Sequence, residues 1–310
     1  SIDYYLKRGK DLIGQAPVDP TTGAQDNTLA YTFRGNVADM KGSGVELELK
    51  SRNFIGAVSW NINFQFNYAT GKITKYDFQS LTAGLYVSSD GVINPVVGKP
   101  VFSIFSYKWA GLDPLTGDPQ GYDTNKQPSK DYTSLMNVKP EDLEYNGPAL
   151  PLIYGYLLNS VTYKQFSFSF NISYKMKYFF RRSSINYNAL FNQWRGNQDF
   201  LKRWQKPGDE KITNVPSMPY PSNSSRDAFY AGSSALVEKG DHVRLQDISL
   251  SYDFTKQQLK KFSLQNLQLY LYANNLGIIW RANKSGLDPD YYGGGFPLPR
   301  TIAFGIKTNF

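Results

Sequence analysis

The sequence predicts an all-β fold, an antiparallel transmembrane β-barrel segment of about eight strands spanning residues 1–310 as one unit, with long loops on one rim. Three observations predict it. Large apolar residues alternate strictly with polar ones in several stretches. The polar partners are mostly uncharged. The connections between stretches alternate short and long.

Taken in chain order, strands are expected at about 1–13, 43–53, 57–72, 151–163, 166–178, 241–254, 262–276 and 299–310. Val45, Leu47 and Leu49 alternate with Glu46, Glu48 and Lys50. Trp60, Ile62, Phe64, Phe66 and Tyr68 alternate with Asn61, Asn63, Gln65 and Asn67. Phe166, Phe168, Phe170, Ile172 and Tyr174 alternate with Ser167, Ser169, Asn171 and Ser173. Leu267, Leu269, Leu271 and Ala273 alternate with Gln268, Tyr270, Tyr272 and Asn274, and Ile302, Phe304, Ile306 and Thr308 close the series before Phe310. A period of two puts each set on one face of a strand. Asn, Gln and Ser opposite large aromatics suit a wet lumen behind a lipid-facing wall. The outer face of a soluble sandwich carries more charge.

Short connections fall at Asn53–Gly56, Lys164–Gln165 and Thr255–Lys261, and long ones at 14–42, 73–150, 179–240 and 277–298. Outer-membrane barrels pair short periplasmic turns with long extracellular loops. This parity places the long loops outside and the C-terminus in the periplasm. Within the loops, 187–205 is expected to form one or two short helices, Pro216–Pro221 to be extended, and Gly111–Gly121 to form dense turns.

Composition agrees. Aromatics make up 15% of the chain, with 23 Tyr and 20 Phe, the excess that interfacial girdles require. With no Cys, disulfides and thiol chemistry are excluded. The net charge of +8 comes from scattered cations. The densest groups, Lys7-Arg8-Lys10, Arg181-Arg182 and Lys260-Lys261, fall near strand ends or loops, which suits a solvated rim or lipid phosphates rather than nucleic acid. No apolar run reaches the length of a membrane helix. Residue 1 starts inside a strand without a signal peptide. The expectation is therefore that an N-terminal portion lies elsewhere in the same or a companion chain.

Several residues carry a family resemblance. Leu271-Tyr-Ala-Asn-Asn-Leu276, Gly286-Leu-Asp-Pro-Asp290 and Pro297-Leu-Pro-Arg-Thr-Ile-Ala-Phe-Gly-Ile-Lys-Thr-Asn-Phe310 follow one another. In this order they resemble the C-terminus of SusC/RagA-type TonB-dependent outer-membrane transporters. Arg244–Tyr252, Gly35-Asn36 through Gly44–Glu48, and Gly98–Tyr107 are similar to earlier parts of the same family. The resemblance implies that these are the last eight strands of a 22-stranded barrel. It further implies an N-terminal plug, contact with the TonB system through that missing portion, and a SusD-like lipoprotein lid. The implied activity is import of oligosaccharides or peptides across the bacterial outer membrane. The Asp-rich stretch of the family's large loop is reduced here to Asp113-Pro-Leu-Thr-Gly-Asp118.

No catalytic residue, metal ligand or cofactor is assigned, and the chain is not read as an enzyme. His242 is the one histidine, with Ser233 and Ser234 nearby, but no Gly-x-Ser-x-Gly elbow is present, and a polar rim role is expected for it. Asp113, Asp118, Asp288 and Asp290 lie in Pro/Gly turns, where Asp bonds its own backbone. Amphipathic rings suit interfaces, and Trp109, Trp194 and Trp280 are the candidates for contact with substrate or lid. Two rival readings are a structural, adhesion or secretion-associated outer-membrane barrel subunit and a soluble carbohydrate-binding β-domain. The soluble domain would need the Trp60–Tyr68 aromatics buried against a second sheet.

Overall fold

The computed structural model describes residues 1–18, 32–77, 82–87, 95–260, 264–292 and 296–309. Eight strands form one sheet: β1 (Ile2–Pro17), β2 (Thr32–Phe54), β3 (Val58–Tyr76), β4 (Ile153–Tyr163), β5 (Phe166–Met176), β6 (His242–Asp253), β7 (Asn266–Arg281) and β8 (Thr301–Asn309). Each strand pairs antiparallel with its neighbours in sequence, so the sheet is an up-and-down meander with β1 and β8 at its edges. The expected strand number and order are found. The ends of the reading at 262–263 and Phe310, and 19–31, 78–81, 88–94 and Lys261 within the expected connections, lie outside the described residues.

Register carries the expected two faces across the whole sheet. On one face Tyr4 meets Val45, Val45 meets Tyr68, and Tyr68 meets Ile153. Lower down, Val161 meets Phe168, Phe168 meets Leu250, Leu250 meets Leu271, and Leu271 meets Phe304. On the other face Glu48 meets Gln65, Gln65 meets Tyr156, Tyr156 meets Ser173, and Ser173 meets Arg244. Among the described residues no second sheet covers the aromatic face: Ile302, Phe304 and Ile306 are 74%, 70% and 61% exposed. The burial expected of a soluble sandwich is absent for Trp60, Phe64, Phe66 and Tyr68, which are only half-buried. The fully buried apolar side chains Phe180, Tyr187, Phe229 and Leu236 instead come from the loops. A water-soluble domain buries its sheet face first.

Three cross-strand pairs set a tyrosine against a glycine: Tyr5 on Gly44, Tyr174 on Gly155, and Tyr270 on Gly305. The hydroxyl end of each tyrosine lies against its glycine. A Cβ on Gly305 would come within 2.3 Å of the Tyr270 ring, and one on Gly155 within 1.9 Å of the Gln65 carbonyl. The Tyr174 hydroxyl crosses Gly155 to donate to that carbonyl at 2.9 Å. The glycine lets the ring fold down, and the ring shields backbone that the glycine leaves bare.

Four strands run beyond the expected limits. β1 reaches Pro17 rather than 13, β2 begins at Thr32 rather than 43, β3 reaches Tyr76, and β7 reaches Arg281. The reason is the bulges. Register shifts at Gly9/Leu12 and Asp39/Met40 break the alternation, and Asn275 (φ 56°) with Gly277 (φ 134°) breaks it in β7. A membrane crossing takes about 9–11 residues. The 23-residue β2 and 19-residue β3 are each about twice that length.

Candidate functional site

The long connections are not structureless. Residues between β3 and β4 and between β5 and β6 fold together as a cap over the rim. Its core joins Tyr86, Phe105, Tyr107, Tyr132, Leu135 and Leu143 from the first connection to Phe229 from the second. Phe229 lies 5.8 Å from the Tyr107 ring and 5.7 Å from Tyr132. Phe229 sits on the helix Ser224–Gly232, which Asn223 caps by accepting the Arg226 backbone N–H at 3.1 Å. Arg181 reaches across to donate to the Val87 and Phe105 carbonyls. Burial pulls its guanidinium down to about 10.

The Gly111–Gly121 turns form a hairpin, with Trp109–Leu112 antiparallel to Pro119–Tyr122. Asp113 Oδ1 accepts the Leu115 and Thr116 backbone N–H groups at 2.8 and 3.1 Å, as expected of a turn residue. Lys130 donates to Asp113 Oδ2 at 2.8 Å and holds that carboxyl below its ordinary value. Asp118 accepts from Arg226 Nε at 2.8 Å, and Arg226 Nη2 also donates to the Ser217 carbonyl at 2.8 Å. Trp204 covers Gly117, whose φ of 68° and 2.3 Å clearance to the indole exclude a side chain. This turn joins the two large loops.

A third long loop, between β7 and β8, folds onto the polar face. Arg244 donates to both oxygens of Asp288 at 2.6 and 2.7 Å, and Lys175 donates to Asp290 at 2.8 Å. His242 is a correction to the reading as a rim residue. It is 1% exposed, with Nδ1 2.9 Å from the Gly240 carbonyl and Nε2 3.5 Å from Asp290. Tyr178, Gly240 and the third loop close over it, which the sequence position alone does not reveal. Burial alone would raise the Asp290 carboxyl, but hydrogen bonds from His242 and Lys175 outweigh it and hold the group well below the carboxylate range. The Ser233 hydroxyl is buried and donates to the Tyr230 carbonyl at 2.8 Å.

Between the second and third loops lies a cavity of about 470 Å³, lined by Arg182, Asn197, Lys202, Lys284, Tyr291 and Tyr292 among others. Arg182 bridges Asp199 and Glu238, the latter at 2.9 Å. Tyr292 packs at a tilt of 37° against Phe180, 5.0 Å between ring centroids. The cavity has the size and mixed lining of a small-ligand site.

The three candidate tryptophans lie apart. Trp109 is half-buried inside the cap, 5.9 Å from Tyr230. Trp194 is 92% exposed, at the left-handed C-cap (φ 56°) of the helix Tyr187–Gln193. Trp280 pairs with Val243 and therefore stands on the apolar face of the wall. The sequence reading missed Arg226, which docks the loops. The Asn223-Ser-Ser-Arg226 capping pattern is the signal that places Arg226 at a helix start. The expected helices in 187–205 are present as Tyr187–Gln193 and a 3-10 turn at Gln198–Lys202.

No family model matches the chain. Two curated relatives from Formosa agariphila, TonB-dependent receptors P26 and P3, are each 23% identical over an alignment of 348 residues. Those alignments cover 100% of this chain and 32% of each relative. The chain therefore spans about a third of the length of the curated relatives it matches. Solved structures of the RagAB peptide importer superpose over the whole chain. The open-open state gives a TM-score of 0.76 at 21% identity and a second structure gives 0.71 at 20%. The chain covers 32% and 33% of those chains, respectively. The resemblance to TonB-dependent receptors runs from end to end, and the fold is that of a RagA-like barrel arc.

Proposed function

We propose that this chain forms the C-terminal part of the barrel wall of a SusC/RagA-type TonB-dependent transporter in the bacterial outer membrane. In this reading the remaining strands and the plug, on the same or a companion chain, close the barrel. The substrate is a nutrient oligosaccharide or peptide, and a SusD-like surface lipoprotein covers the mouth. The observation that carries the reading is the single sheet with an uncovered aromatic face, a polar opposite face and two unpaired edges. Open edges cannot stand alone in lipid, so further strands must meet β1 and β8.

The loop cap supports a mouth that handles substrate and lid. Trp194, Leu201, Ile212 and Tyr220 are each at least 80% exposed on it, and Phe296 is 94% exposed on the β7–β8 loop, the kind of apolar surface that a partner covers. Of the three tryptophans, Trp194 takes the contact role, Trp109 shapes the cap from within, and Trp280 anchors the wall at the interface.

The test is uptake by cells carrying the whole transporter. Labelled peptides and labelled oligosaccharides are supplied with and without a protonophore that collapses the inner-membrane gradient. Gradient-dependent accumulation of one class, reduced by Trp194→Ala, is the expected result. Accumulation of neither class, or uptake indifferent to the gradient, contradicts the reading.

A further inference from the structure

The outward face of the first three strands carries a row of like charges. Arg8 of β1 pairs directly with Lys41 of β2, and Lys41 pairs directly with Lys72 of β3. All three belong to the face of Tyr4, Val45 and Tyr68, and all three are exposed. Among the described residues none of them has a carboxylate within ion-pair distance. Two of the acids nearest in register are engaged elsewhere. Asp77 binds Lys75 at 3.1 Å, and Asp39 accepts the Asp11 backbone N–H at 3.0 Å. Like charges directly opposite in a sheet are unfavourable, so three in line call for a shared counter-charge.

The row has a defined height. On β3 the apolar band runs from Val58 to Tyr68, about 33 Å along the strand and about 25 Å along the normal of a tilted barrel. Lys72 lies four residues above Tyr68, and Arg8 four above Tyr4. That is about 13 Å along the strand and about 10 Å along the normal, beyond the aromatic level and on the long-loop side. Between them stand only Leu6, Ser43 and Thr70. At the opposite rim the same face shows rings instead: Phe54, Tyr163, Phe166 and Tyr252. The cations are therefore confined to one leaflet.

We propose that Arg8, Lys41 and Lys72 form a binding site for the phosphorylated headgroup of an outer-leaflet lipid, whose acyl chains lie along Tyr4, Val45, Leu47 and Phe66. Phosphate supplies the shared counter-charge, and the apolar band below supplies the contact that free phosphate lacks. This rests on the membrane-wall reading above.

The experiment uses the whole transporter in nanodiscs of phosphatidylcholine doped with bis-phosphorylated lipid A or with its dephosphorylated form. Retained lipid A is counted by native mass spectrometry after mild delipidation. The variants are Arg8→Gln/Lys41→Gln/Lys72→Gln, Lys41→Gln alone, and the loop control Lys126→Gln. Retention of the phosphorylated lipid is expected to fall about fivefold for each cation removed. The dephosphorylated lipid and Lys126→Gln are expected to show no such dependence, and millimolar inorganic phosphate to leave retention unchanged. Equal retention by wild type and triple variant overturns the proposal, as does complete displacement by inorganic phosphate. Heat-modifiable gel mobility verifies that the triple variant is folded; should it not fold, Lys41→Gln decides by the same fivefold criterion. A wild-type protein that stays folded in water without detergent defeats the wall reading itself, before any lipid is counted.

Discussion

At the scale of single residues, Asn159 shows what the membrane reading demands. It interrupts the apolar face between Ile62 and Phe170, yet it is buried and accepts from Trp60 Nε1 at 3.3 Å. A polar group facing lipid needs such a partner. Trp60→Phe is expected to destabilise the detergent-solubilised protein by about 1–2 kcal/mol. Adding Asn159→Leu should restore most of the loss, which a double-mutant cycle in denaturant measures directly. Asp290 gives a second expectation. Its carboxyl titrates below the ordinary value in the folded protein, so its contribution is complete above that value. It is lost as pH falls from about 4 through the lower folded value. Amide exchange of residues 282–292 should stay slow from neutral pH down to that range and then rise, while Asp290→Asn should raise it already at neutral pH. The strand at 151–163 was legible in the sequence, but the face that Asn159 takes was not. The environments of His242 and Asp290 were not legible either, because the strand β6 and the third loop meet only after 40 residues or more of intervening chain.

At the scale of elements, the wall strands were readable because period two survives wherever the ladder is regular. It failed where bulges reset the register, in the upper halves of β1 and β2 and at Asn275 in β7. The loops were readable only in part. Turn chemistry located the Trp109–Tyr122 hairpin and apolar spacing located the Tyr187–Gln193 helix, but neither reveals that two connections share a core. That joint makes its own prediction. Gly117→Ala forces a side chain into the Trp204 ring at a left-handed φ, and Arg226→Met leaves Asp118 without its buried partner. Each should loosen the cap by about 2–4 kcal/mol. Limited proteolysis should then cut between residues 196 and 222, while heat-modifiable gel mobility, which reports the barrel, stays at the wild-type value.

At the scale of the whole molecule, burial is inverted relative to a soluble β-domain. The sheet keeps large side chains uncovered on one face and amides on the other, and the densest cores, around Phe229 and Tyr187, sit in the loops. Lipid outside and water inside reconcile those two faces. In the proposed reading, further strands meet the edges of β1 and β8. The most direct measurement is the intact mass and subunit content of the detergent-extracted particle that contains residues 1–310. The account predicts a detergent-requiring barrel with roughly three times this chain's strands, on one polypeptide or a tightly bound companion, and a plug within it. A folded 35.1 kDa monomer, soluble in water and needing neither detergent nor partner, would contradict it.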